Sequence, residues 1–374
     1  MQGMSIHFSL PASRRIVVAA CIVLVALSAC SMPGLDQPGV IEPNIVPAPG
    51  QNGSTAVTRP FALEDSRVRL TVPVDRAVYA GSVTAQKSAV FLDGKQPPNW
   101  VAGYYRAFIN EKHQAAFYTS LLEALDVVRQ KEGLDSTRFV ELVTAMAQGL
   151  EYRTDSVNLA PKFPIETFGD GYGDCDDKTL LAAAVLSQKG YDVAILLFGP
   201  EKHVALGVRA PGLDYKGTGY AYVEMTEPSL VGIPAEELSG GVRLTSQPEV
   251  IKIGEGTGAY TAGAQINYIQ RRLAEVKAAE KELRSQIDQD EAKLSELRTM
   301  LDGEKKALDA VSDPASLATA VKRYNQQVAV YNERTAQLRR RVDRYNGLVE
   351  VDNYVAGHQT ARPQVYAKLR AVSL

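Results

Sequence analysis

Three residues in the middle of the chain have the right types to share a proton and attack a carbonyl. They are Cys175 in "GDCDDKTLL", His203 in "KHVALGV" and Glu224 in "YVEMTEPS". A thiol attacks as thiolate and so needs a base, and imidazole is the base suited to neutral pH. A carboxylate behind the imidazole fixes its tautomer and steadies the imidazolium. Cys175 and His203 are 28 residues apart, and His203 and Glu224 are 21 apart. Glu227 is a rival for the acid. Each residue also has a plain reading: a small core cysteine, a satisfied strand histidine, a strand-ending glutamate.

The surrounding text supplies elements to hold them. Asp174 can cap a helix, the run from Lys178 to Lys189 is built of strong helix formers, and Gly190 marks the stop. Cys175 thus falls in a first helical turn, where free N–H groups and the macrodipole favour a thiolate and lower its pKa. Asp174, Asp176 and Asp177 push the other way if they face the sulfur. "YDVAILLF" reads as a buried strand. "KHVALGVRA" reads as a second strand, with His203 at its start and able to face a neighbouring helix. "YAYVEMTEPS" is a third, ending near Glu224. Upstream, Pro60 to Trp100 is strand-like and Asn99 to Gly133 is helical. "STRFVELVTAMAQGLEY" starts a further helix with an N-cap at Ser136 or Thr137.

These motifs together resemble the core of the transglutaminase-like superfamily, a branch of the papain-like thiol fold, over roughly Thr137 to Pro234. The resemblance implies that Cys175 is the nucleophile, His203 the base and Glu224 the triad acid. "AQGLEYRTDS" is similar to text that precedes the cysteine motif in prokaryotic members. That implies oxyanion or pocket roles for Gln148 and Tyr152, with Asp174 beside them. The chain departs from the pattern in using Glu where Asp is commoner and in lacking a Trp after His203. "DGYGDCDD" lacks the order of an EF-hand loop, and the segment has too few Cys and His for zinc, so neither metal nor cofactor is expected.

Residues 1–29 read as a lipoprotein signal peptide: Arg14 and Arg15, then the apolar run Ile16 to Leu27, then "LSAC". The last resembles a prokaryotic lipobox, which implies lipid on Cys30 and a place in the cell envelope, anchored on the extracytoplasmic side. Residues 30–59, rich in Pro and Gly, read as a flexible tether. With Cys21 removed and Cys30 lipidated, Cys175 is the one thiol left of three cysteines. A net charge of −2 gives no sign of nucleic-acid binding.

Residues 60–135 form an N-terminal strand and helical region, and 136–255 the transglutaminase-like core. Over 260–352 the text turns to Glu, Lys, Arg, Ala, Gln and Leu, with apolar residues alternating at three and four. "SDPAS" at 312–316 interrupts it, predicting an antiparallel coiled-coil hairpin. "RRRVDR" reads as a solvated basic face, and 353–374 is a tail of ambiguous structure. The expected fold is α+β: a cysteine-bearing helix on an antiparallel sheet, then the hairpin. The expected function is a membrane-anchored thiol enzyme acting on peptide or carboxamide bonds through a thioester, with hydrolysis favoured over cross-linking. The alternative is an inactive lipoprotein that binds peptide or scaffolds envelope proteins through its coiled coil.

Overall fold

The computed structural model describes residues 40–92, 94–154, 160–235, 237–238 and 241–373. The signal peptide, the lipobox and Cys30 lie outside them. Among the described residues no helix is long and apolar enough to cross a membrane.

The architecture is α+β with two long C-terminal helices. Order begins earlier than the composition suggested. β1 (Val40–Ile41) pairs with residues 90–91, Val40 and Ile45 are buried, and Ala48 N–H donates to Ala77 O. The stretch read as a tether over 30–59 is therefore structured from Val40. Its few apolar residues are too sparse to fold alone, yet enough to dock on a body folded by the rest.

β2 (Ser54–Leu63) and β3 (Ser66–Asp75) form a ten-residue antiparallel ribbon. Along β3, Val68, Leu70, Val72 and Val74 alternate inward with exposed neighbours, the period-2 pattern of a half-buried strand. Asp75 then ends the strand by capping α1 (Arg76–Thr84), accepting from Ala77 N and Val78 N at 2.9 and 3.0 Å. This helix interrupts the expected strand text, which resumes only as β4 (Val90–Phe91). The expected helix over 99–133 is two: α2 (Trp100–Asn110) and α3 (Ala115–Lys131), parted by a 3₁₀ turn at Lys112–Gln114. The cause is Glu111, whose carboxylate takes both His113 N–H and Nδ1, and Gln114, which turns inward to Phe108 O.

α4 (Ser136–Gln148) starts one or two residues earlier than the cap at Ser136 or Thr137 implied, capped by Asp135 through Arg138 N. β5 (Glu151–Tyr152) runs parallel to β6 (Tyr172–Gly173), with the unforeseen α5 (Pro164–Asp170) between them. α6 (Cys175–Gln188) follows at once and is the centre of the molecule. Every residue from Lys178 to Leu186 is fully buried, the burial expected of a helix that is apolar all round. Gly190, at φ +83°, turns the chain out of it.

β7 (Val193–Phe198), β8 (His203–Val208), β9 (Ala221–Val223) and β10 (Glu249–Lys252) make an antiparallel sheet in the order β10-β7-β8-β9. β10 had no counterpart in the sequence reading. α6 lies on β8 and β7 on one face of this sheet. Val193, Ile195, Val204, Leu206 and Val208 point to that face, whereas Leu196, Phe198, Ala205 and Tyr222 form a separate cluster.

α7 (Gly263–Leu308) and α8 (Pro314–Gly357) are the two long helices. The break falls where "SDPAS" placed it. Asp313 caps α8 by accepting from Ser316 N at 2.8 Å, and Pro314 occupies the first turn. Asp290 meets Arg341 and Glu304 meets Arg323, rising numbers against falling ones, so the pair is antiparallel. Arg341 of the basic run thus faces α7. The tail is ordered too: α8 continues to Gly357, and α9 (Arg362–Ala371) folds back with Val365 and Leu369 fully buried.

Candidate active site

Cys175 is the first residue of α6. Asp174 and Asp177 form a capping box: Asp177 N donates to Asp174 Oδ1 and Asp174 N to Asp177 Oδ2. Gly173 is required beside it, because a Cβ there would lie 2.6 Å from Asp177 Cβ. The register of β5 with β6 sets Tyr152 opposite Gly173 and so beside the turn that carries Cys175. Asp174 thus builds the helix start, its carboxylate turned to backbone.

The thiol is not the activated one that a helix start alone would give. Burial pushes its pKa above the ordinary range, Asp176 and Asp174 add to this, and Glu224 adds a little more. A hydrogen bond from Val204 N–H to the sulfur opposes them. Desolvation outweighs the helix terminus here, which corrects the lowered pKa expected from position. Asp176 and Asp177 are themselves held back from ionising. Burial and a hydrogen bond with Asp174 keep Asp176 well above the carboxylate range, and burial with the Asp174 charge pushes Asp177 up to about 7.

His203 opens β8 directly opposite Phe198, their rings 6.2 Å apart, on the face that carries Tyr222. It does not face α6, because strand alternation gives that side to Val204. Thiol and imidazole reach the start of β8 from different sides, and among the described residues no thiol–imidazole hydrogen bond forms. His203 Nε2 lies 3.2 Å from Glu224 Oε2 and 3.3 Å from Tyr222 Oη. Tyr222 also donates to Glu224 Oε2 through its hydroxyl. Glu224 Oε1 accepts from Met225 N at 3.0 Å, Thr226 N at 2.8 Å and Thr226 Oγ1 at 2.6 Å.

Glu224 is 0 % exposed. Burial alone would oppose its charge, but the bonds from His203, Thr226 and Tyr222 outweigh it and bring its pKa down to about 2. An ionised Oε2 makes Nε2 the protonated nitrogen of a neutral ring and leaves Nδ1 to accept a proton. Glu224, and not Glu227, holds the histidine.

Gln148 is close by but faces elsewhere. Its Nε2 donates to Glu224 O at 2.8 Å and Ser229 O at 3.1 Å, so it steadies the acid's loop and is not free as an oxyanion donor. Tyr152 is 39 % exposed. Burial, with the Cys175, Asp174 and Glu224 charges, pushes its phenol up to about 12, so it keeps its proton and can donate.

Sequence reasoning missed three residues. Tyr222 stands two before Glu224 in an alternating strand and so shares its face, a signal "YAYVE" carried. Thr226, two after Glu224, wraps its hydroxyl and N–H around the carboxylate. Lys178 is a lone charge in apolar helix text. It is fully buried and bonds Gln148 O at 3.2 Å and Leu150 O at 2.9 Å; burial lowers it to about 8, with Glu224 pulling back. Carboxylate oxygens of Asp174, Asp176 and Asp177 lie within 4.8 Å of one another. The capping box, Lys162 N–H on Asp177 Oδ1 and the Asp174–Asp176 bond already knit that cluster together.

No known protein family, curated protein or solved structure matches the chain.

Proposed function

We propose that the chain is a membrane-tethered, extracytoplasmic thiol enzyme of the transglutaminase-like, papain-like kind, acting on peptide or carboxamide bonds. The observation that carries this reading is the buried, ionised Glu224 fastened to His203 Nε2, next to a strand residue, Val204, that holds the Cys175 sulfur. A carboxylate kept charged while fully buried is costly, and here it fixes one imidazole tautomer.

Cys175 rests as a thiol. In this reading substrate binding carries Sγ and Nδ1 from their different sides of the start of β8 into contact, a rearrangement larger than the tightening usual when substrate arrives. Nδ1 takes the proton as sulfur attacks the carbonyl carbon, and the carbonyl oxygen becomes an oxyanion. Its donors are the first-turn N–H groups of Cys175 and Asp176, which a helix leaves unbonded, and the Tyr152 hydroxyl. The imidazolium returns the proton to the departing amine, leaving a thioester. Water then releases the acid, and hydrolysis is favoured over transfer to a lysine amine.

The upward push on the thiol favours a second reading. In it the domain is a non-catalytic lipoprotein module that binds peptide, and the helical pair makes the association.

Iodoacetamide alkylation of Cys175 across pH, in the full chain and in His203→Ala, separates the two. The enzyme reading expects slow alkylation at neutral pH, a rate still rising above about 8.5, the free-thiol value, and a further drop in the variant. It also expects turnover of peptide amides that Cys175→Ser abolishes. Alkylation indifferent to His203, with no turnover, selects the second reading.

A further inference from the structure

Behind the loop that carries Glu224 is a small cavity of ≈ 10 Å³ for a water-sized sphere, lined in part by Glu141, Thr144, Gln148, Ser229, Gln359 and Thr360. That volume is about one water's worth. Three buried polar atoms without a hydrogen-bond partner belong to its lining: Thr144 Oγ1, Gln148 Oε1 and Ser229 Oγ. Thr144 and Gln148 are only 3 % and 5 % exposed. They stand one turn apart on α4 and so present one face. A buried polar atom left unbonded gives up its hydration with nothing in return, so three around one space point to a shared partner.

The partner's chemistry follows from the lining. Gln148 Nε2 is committed to Glu224 O and Ser229 O, which fixes the amide and makes Oε1 an acceptor. The two hydroxyls can each donate or accept. Glu141 brings the only formal charge among those six residues, and Arg362, Arg138 and the Tyr260 hydroxyl already meet it. No charge is left for a cation. The complement is a neutral molecule that both donates and accepts, and one water fits.

We infer that a single water binds here, hydrogen-bonded to Gln148 Oε1, Thr144 Oγ1 and Ser229 Oγ, and pins the Glu224–Ser229 loop to α4. The α8–α9 turn supplies Gln359 and Thr360 to the same lining, so the base of the helical pair helps close the site. This role is independent of the thiol chemistry.

A high-resolution crystal structure of the protein should show one density peak about 2.7–3.2 Å from all three atoms. In Thr144→Val, close to the same shape, that peak should vanish. Amide exchange at Met225 and Thr226, whose N–H groups hold Glu224, should speed about tenfold, the equivalent of one net hydrogen bond. Ser229→Ala tests the same point from the loop side, should the threonine variant fail to fold. A dry cavity in the parent protein overturns the inference. So does unchanged exchange in the folded variants. Neither readout depends on turnover, so failure here and failure of the enzyme reading are distinguishable.

Discussion

The body and the helical pair treat charged groups differently. Around α6 the buried charges are partnered: Glu224 accepts five hydrogen bonds, and Lys178 meets two carbonyls. Between α7 and α8, by contrast, Glu280, Glu304 and Gln327 each bury an oxygen without a hydrogen-bond partner. α6 hides ten consecutive residues, Asp177 to Leu186, while α7 beyond Val276 hides only Leu283, Ile287, Leu294 and Leu301. The body buys specificity with buried charge, and the pair relies on a narrow apolar seam with water close at hand.

The sharpest way to break this contrast is a matched pair of amides. Glu224→Gln puts a donor where two donors already point and removes the charge facing His203. It should cost about 4 kcal/mol in urea unfolding. Glu280→Gln in the seam should stay within about 0.5 kcal/mol. Equal costs would erase the distinction.

Acid gives the next effect. The Glu224 pKa is depressed to about 2, so its stabilisation is complete above the unfolded value of about 4.3 and fades as pH falls towards 2. Stability of the body should drop by about 3 kcal/mol across that window, and Glu224→Gln should flatten the drop. An unaltered acid profile in that variant would show that the pair carries no such linkage.

Core truncation sharpens the contrast further. Leu181→Ala leaves a hole in a sealed helix and should cost about 3 kcal/mol, whereas the seam around Leu294 can relax or admit water and Leu294→Ala should cost about 1.5 kcal/mol. Hydrogen exchange should show the second loss confined to the helical pair. The smallest effect is Asp313→Ala, which removes the cap of α8 and should lower stability only slightly. It should fray the turn between the long helices and leave Cys175 alkylation as it was.

Local signals in the sequence reached the site's skeleton. The capping aspartate and helix formers put Cys175 first in α6, and alternation put His203 first in β8 and Glu224 just past β9. What they could not reach depends on tertiary surroundings. The direction of the thiol's shift follows from how deeply α6 is sunk, which no window of sequence reports. Gln148 lies where the motif suggested, yet its amide is turned to the Glu224 loop because two carbonyls there need a donor. α1 was legible in principle, since Asp75 before Arg76-Ala-Val is a cap signal, but the alternating text around it prevailed. The order from Val40 onward and the docking of α9 come from apolar residues too sparse to show a period, and their partners lie far off in the chain.

The length of α7 bears on any estimate of how many chains associate. At about 1.5 Å per residue its 46 residues extend roughly 69 Å. A compact body of about 250 residues has a radius of gyration of only about 18 Å. A single chain should therefore encounter the friction of a rod attached to a ball. It should leave a gel-filtration column ahead of globular standards of 40.6 kDa. An early elution peak would not by itself reveal a dimer, and light scattering or sedimentation equilibrium, which weigh the particle without assuming its shape, would be needed to count chains.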